Sequence, residues 1–245
     1  MPISLFQGVS VLEKYEVAEE IYQGSNSIVY NGTSVHDGTP VIIKTIRRES
    51  LSGESIGGLR KEFEITKGFE NASGIVQALA LESFESSLAM VLEDFGGTSL
   101  RYLISETTFT LEETLQIGVE VAAALDKIHA NHLMHKDINP NNIVYNPETR
   151  TAKIIDFGIV SRVTRENPCV EISELLGTLP YISPEQTGRM NRLVDYRTDL
   201  YSFGATLYEI LLGRPPFEGG DPLVKFFSAP CRKPMWRCSF LILSA

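Results

Sequence analysis

The chain has 245 residues, 43% of them hydrophobic, and its 22 Lys and Arg against 31 Asp and Glu give a formal charge of −9. A chain of this length buries roughly 70–75% of its unfolded surface, which excludes intrinsic disorder, and the acidic balance excludes coating of nucleic acid or anionic membrane by bulk charge. No apolar run reaches the ~18 residues of a membrane span, and no basic residue precedes Lys14, so neither a span nor a signal peptide is predicted. Cys169, Cys231 and Cys238 are too few and too irregularly spaced for a disulfide framework or a zinc ribbon, and a reducing cytoplasm is the expected compartment.

The first signals along the chain are those of a sheet. Residues Tyr15 to Tyr30 alternate loosely between apolar and polar and turn through Gln23-Gly24-Ser25-Asn26-Ser27, which predicts a hairpin. A second strand pair is predicted over Ser27–Ser34 and Thr39–Ile46, joined at Asp37-Gly38. A short helix follows over Leu59–Phe69, then a strand over Leu88–Phe95 that ends in Gly96-Gly97. Thr110-Leu111-Glu112-Glu113 is a capping box, a threonine with glutamate three residues on. It opens a helix reaching His129 or Ala130, with Leu111, Leu115, Val119, Ala122 and Leu125 near one face. Short strands are predicted over Asn142–Tyr145 and Ala152–Ile155, and a last helix over Asp199–Leu212 is stopped by Gly213 and Pro215. The expected class is α+β, a strand-rich lobe before a helix-rich one.

The strongest local signal is His135-Lys136-Asp137-Ile138-Asn139-Pro140-Asn141-Asn142, with Asp156-Phe157-Gly158 downstream. A carboxylate and an amide five apart in a tight loop can face one small volume, Asp137 towards a hydroxyl nucleophile and Asn142 towards a divalent cation. Asp156 adds a second hard oxygen ligand, which suits Mg2+, a cation that takes few carboxylates together with phosphates and waters. Each motif alone could be a polar turn; the pair at this spacing argues otherwise. His129, His132 and His135 suggest a rival metal site, but imidazoles three and six residues apart drift round a helix and do not converge.

These motifs resemble those of the protein kinase family, and the resemblance runs from about Tyr15 to Phe217. It implies a two-lobed kinase-like fold, with Asp137 as catalytic base and Asn142 and Asp156 as ligands of Mg2+. Val41-Ile42-Ile43-Lys44 resembles the strand whose lysine binds the α and β phosphates of ATP and pairs with a helix glutamate, for which Glu62 is the first candidate and Glu64 the second. Gly24 and Val29 match the phosphate-covering loop, although Tyr22 and Ser27 stand where that loop has its outer glycines. Leu92-Glu93-Asp94-Phe95 resembles the hinge, where backbone groups of Glu93 and Phe95 bind adenine and Leu92 guards the back of the pocket. Gly177 to Glu185 resembles the end of an activation segment, with Thr178 positioning the base and Glu185 closing the motif, and Asp199 matches the aspartate that braces the catalytic loop. Ser161, Thr164 and Ser173 are candidate phosphorylation sites in that segment.

Two further departures bear on activity: Lys136 replaces arginine, and Asn139 replaces the lysine that contacts the transferred phosphate. The implied activity is a serine/threonine protein kinase taking ATP, Mg2+ and a protein substrate, with no nucleic-acid partner. A nucleotide-binding pseudokinase or truncated fragment, and a small-molecule kinase of the same fold, are the alternatives. Residues 1–97 are expected to form the N-lobe and hinge, and 98–221 a partial C-lobe that stops soon after the last helix. After Asp221 there are four basic residues and no acidic one, so 222–245 reads as an atypical basic and apolar tail, a frame change or artificial end. The run Gln186 to Arg192, with Asp195 to Asp199, is similar to the N-terminal kinase module of large bacterial proteins that continue into ATPase, sensor and histidine-kinase regions.

Overall fold

The computed structural model describes residues 14–84, 87–162, 178–187 and 194–217. In chain order these form β1 (Tyr15–Gln23), β2 (Ser27–Ser34), β3 (Pro40–Ile46), α1 (Gly53–Lys67), β4 (Ala78–Phe84) and β5 (Ser87–Glu93). Next come β6 (Thr98–Ser99), α2 (Leu100–Glu106), α3 (Leu111–Ala130), β7 (Leu133–Met134), β8 (Ile143–Asn146), β9 (Thr151–Ile154), β10 (Ser161–Arg162) and α4 (Arg197–Leu212).

The five N-terminal strands make one antiparallel sheet in the order β1-β2-β3-β5-β4. Alternation along β3 sends Val41 and Ile43 to one face, where they pack with Ile28, Tyr30, Ala89 and Val91, while Ile42, Ile46, Met90 and Leu92 pack on the other. That second face carries α1, whose Leu59, Glu62 and Thr66 are buried at helical spacing. Because Val29 stands directly opposite Lys44 in the register, both belong to the face that looks towards the helices.

The second part of the chain is built on α3 and α4. Ile117, Val121, Ala124, Leu125 and Ile128 of α3 pack with Ile138, Ile143, Ile154, Phe157 and Ile210 in one core. Thr110 and Glu113 form the reciprocal N-terminal cap of α3, at 3.2 and 2.8 Å. Gly213, left-handed at φ 71°, closes α4.

Four expectations are corrected. The first helix begins at Gly53 rather than Leu59, because Ser52 and Ser55 cap each other there. The buried stripe of α3 is not the one containing Leu111, Leu115 and Val119, which are 50%, 58% and 67% exposed, nor Ala122, which is also exposed; only Leu125 of that set faces the core. Strand β4 and helix α2 have no counterpart among the elements expected from the sequence, and α4 starts two residues early, at Arg197. The tail 222–245, Thr164 and Ser173 lie outside the described residues.

Candidate active site

A cleft of about 480 Å3 opens between the sheet and the helical part, lined among others by Val29, Lys44, Glu62, Leu92, Asn142 and Asp156. Strand β3 delivers Lys44 from above, and α1 delivers Glu62 from behind. Lys44 Nζ lies 2.7 Å from Glu62 Oε1 and 3.2 Å from Asp156 Oδ2. Glu64, the second candidate, is exposed.

The charges in this trio set one another. Burial works against the Lys44 ammonium, but Asp156 and Glu62 outweigh it and hold its pKa above the usual lysine value. Desolvation raises the Asp156 carboxyl, and Lys44 with the Gly158 N–H more than reverses this, so the net shift is downward. Burial pushes Glu62 up to about 7 against the pull of Lys44.

Asp137 sits in the loop between β7 and β8. Its Oδ1 accepts from Thr178 N and Thr178 Oγ1, both at 2.8 Å, and from Asn139 Nδ2 at 2.9 Å, while Oδ2 accepts from Asn142 Nδ2 at 2.8 Å. Asn142 Nδ2 also donates to the Asp137 carbonyl, so the amide nitrogen is fully used and its side-chain oxygen is left for another partner. With Asp156, that oxygen forms an all-oxygen, carboxylate-poor donor set, which fits Mg2+. Lys44, Glu62, Asn142 and Asp156, from four separate stretches of sequence, thus meet on one cleft, and Asp137 and Thr178 are bonded beside them.

The loop is held from below by Asp199, which has no exposed surface and accepts from His135 N, Lys136 N and His129 Nε2 at 2.9, 2.7 and 2.8 Å. Two backbones here are left-handed, Lys136 at φ 68° and Asp156 at φ 65°. Such conformations persist where surrounding bonds over-determine them; for Lys136 these are its N–H to Asp199 and its carbonyl accepting from Gln186 Nε2. His135 Nδ1 accepts from Asp137 N and its Nε2 faces the Ile155 carbonyl, so His129 and His135 are spent on bracing the protein, while His132 is exposed. Glu185 accepts from Thr198 Oγ1 at 3.2 Å.

Comparisons with known proteins bear on the family and the fold. The protein kinase domain family matches residues 15–232. The chain belongs to that family. It is 29% identical over 217 residues to the serine/threonine-protein kinase PknB of Mycobacterium leprae, covering 86% of this chain and 34% of that protein. It is 30% identical over 208 residues to the serine/threonine-protein kinase TIO of Arabidopsis thaliana, covering 84% and 15%. The crystal structure of the PF14_0431 kinase domain superposes with a TM-score of 0.78 at 19% identity, over 90% of this chain and 70% of the other. The chain therefore spans about a third of the length of the bacterial kinases it matches.

Within this kinase domain, the hinge differs in detail from expectation. Glu93 N donates to Gln77 O at 3.0 Å and Phe95 O accepts from Asn146 Nδ2 at 2.8 Å, so two of the four backbone groups assigned to adenine already have protein partners. Phe95 N–H has no hydrogen-bond partner among the described residues. Gly24 stays outside the cleft lining, whereas Tyr22 and Ser27 belong to it. Sequence reasoning missed Tyr102 on the lower lip, and Lys153, which bonds Glu93 Oε1 at 2.6 Å and stands 4.8 Å from the Phe95 ring centroid. No motif marks either residue; Tyr102 comes from α2 just after the hinge, and Lys153 from β9, 60 residues after Glu93. Among the described residues no helix is long and apolar enough to cross a membrane.

Proposed function

We propose that this chain transfers the γ-phosphoryl group of ATP to a serine or threonine hydroxyl of a protein, in the cytoplasm. The observation that carries this is the meeting of Lys44, Glu62, Asn142 and Asp156 on one cleft, with Asp137 bonded directly to Asn142. Lys44, oriented by Glu62, binds the α and β phosphates. Asn142 and Asp156 hold Mg2+, whose chemistry is to neutralise charge on the transferring phosphate. Asp137 accepts the proton of the attacking hydroxyl. Its Oδ1 already has three donors and Oδ2 only one, so Oδ2 is the atom that takes the proton. Val29 and Leu92 flank the base, and Phe95 N–H donates to it. The preference for serine and threonine rests on Thr178, which is bonded to Asp137, and on the names of the relatives.

Tyr22 and Ser27 in the phosphate-covering turn favour a second reading, a domain that binds nucleotide with little or no turnover. Transfer of labelled γ-phosphate to a generic protein substrate, compared between the chain and Asp137→Asn, decides between the two. The expected outcome is a loss of at least about 10²-fold in the variant; equal signal from both sinks the enzymatic reading, and ATP binding without transfer supports the second. The longer parent with sensor and histidine-kinase regions rests on the run from Gln186 to Asp199 alone, and the relatives named above lend it nothing.

A further inference from the structure

Asn139 stands where the family pattern has a lysine, and on sequence alone it is a lost positive charge. The structure gives it other work. The side chain has no exposed surface, so it does not reach into the cleft as a substitute for that lysine. Its Nδ2 lies 2.9 Å from Asp137 Oδ1, 3.0 Å from the Asp137 carbonyl and 3.1 Å from Thr178 Oγ1. Its Oδ1 accepts from Asn141 N at 2.9 Å and Asn141 Nδ2 at 3.0 Å, and Asn141 lines the cleft.

We propose that Asn139 is a positioning residue that fixes the Asp137 carboxylate, tying it to Thr178 on one side and to the cleft-lining Asn141 on the other. The proposal rests on the phosphoryl-transfer reading above. A carboxylate can swing about its last torsion and exchange its two oxygens. Here Asn139 and Thr178 load Oδ1 with three donors, which leaves Oδ2, bonded only to Asn142 Nδ2, as the less occupied oxygen. An amide suits the position because it donates and accepts at once, whereas a lysine has donors only. Lysine at 139 leaves both Asn141 N–H groups without their acceptor and puts a charge in a site closed to water. Restoring the family residue therefore damages this site.

The test uses the full chain and the variants Asn139→Lys, Asn139→Ala, Thr178→Ala and the double variant Asn139→Ala/Thr178→Ala. Steady-state kinetics with ATP and a protein substrate separate kcat from KM. Amide hydrogen exchange over residues 178–187 supplies a readout that needs no turnover. Both Asn139 variants are expected to lose about 10²-fold in kcat while the KM for ATP stays within about twofold, as befits a residue that does not touch the nucleotide. The double variant is expected to be no worse than the poorer single variant, because the two side chains act on Asp137 as a unit. Exchange at 178–187 is expected to quicken about tenfold in Asn139→Ala, the equivalent of one lost hydrogen bond. A kcat for Asn139→Lys equal to or above that of the natural chain overturns the proposal, since the site then lacks a charge rather than a brace; additive losses in the double variant overturn it too. If Asn139→Lys does not fold, Asn139→Ala carries the same comparison. If the natural chain transfers no phosphate, the kinase reading falls by itself, and unchanged exchange in Asn139→Ala still counts against the brace.

Discussion

Two loops of this kinase domain depart from the family pattern, and their surroundings are opposite. At the hairpin turn, Tyr22 is 56% exposed, and the turn is held by Gly24 N donating to Ser27 O and by Arg47, whose N–H and guanidinium reach Asn26 O and Gly24 O. In the loop from His135 to Asn142, His135 and Asn139 are wholly buried and both carboxylate oxygens of Asp137 are bonded. On the rim, water satisfies whatever a new side chain leaves unpaired. In a closed loop each donor needs an acceptor within the protein, so a substitution survives only by rewiring its neighbours. Tyr22 is a change of shape; Asn139 is a change of circuit.

The largest effect is expected beneath the buried loop. Asp199→Ala removes the acceptor of two backbone N–H groups and of His129, and leaves Lys136 without the bond that holds its left-handed backbone. With unsatisfied buried groups costing about 1–3 kcal/mol each, the loss is about 3 kcal/mol or more. Urea unfolding measures it, and a loss below about 1 kcal/mol breaks the contrast between the two loops. Next comes Gly32→Ala in β2. A Cβ there lies 2.5 Å from Glu16 O, a backbone atom that cannot move alone, so about 1–3 kcal/mol is expected. The hairpin thus has one position where glycine is required, and it is eight residues away from the turn at Gly24. Tyr22→Gly, at the rim itself, is expected to cost about 0.5–1 kcal/mol, the penalty of a glycine in a strand. Its affinity for ATP is expected to stay within about twofold, read by calorimetry; a change above about tenfold would make the rim as intolerant of substitution as the loop from His135 to Asn142.

What the sequence showed and what it hid follow the same division. Elements with a reciprocal local signal were legible to the residue: the capping box at Thr110 and Glu113 set the start of α3, and Gly213 set the end of α4. Ser52 and Ser55 do the same work for α1, but a serine at the third position is not the glutamate that marks such a box, and three glycines at 53, 57 and 58 argue against a helix there. On α3 two neighbouring stripes are both apolar. Periodicity finds a helix in either, and only the packing of Phe203 and Leu207 against Gly118 shows which side is inside. The site residues were legible because family motifs fix them one by one. The wiring of Asn139 to Thr178, 39 residues on, was not, because hydrogen bonds between distant residues leave no local pattern.

The smallest prediction concerns an acid four residues before Asp199 and nearer to solvent. Asp195 accepts from Arg197 N at 2.9 Å and from the Arg197 guanidinium at 2.7 to 3.0 Å, and these donors hold its pKa below the usual carboxylate range. A depressed acid contributes stability that is present above its unfolded pKa and is lost as pH falls through the folded one. Asp195→Asn keeps an acceptor for the Arg197 N–H and removes only the charge, so its cost is about 0.5 kcal/mol, that of a solvent-screened pair. The difference from the natural chain is expected to be full above the ordinary carboxylate range and to close as pH falls through the lowered pKa. Urea midpoints at three pH values test the sign. A difference that persists in acid means that the pair acts through packing rather than charge. A difference as large as that of Asp199→Ala means that burial does not separate the two aspartates.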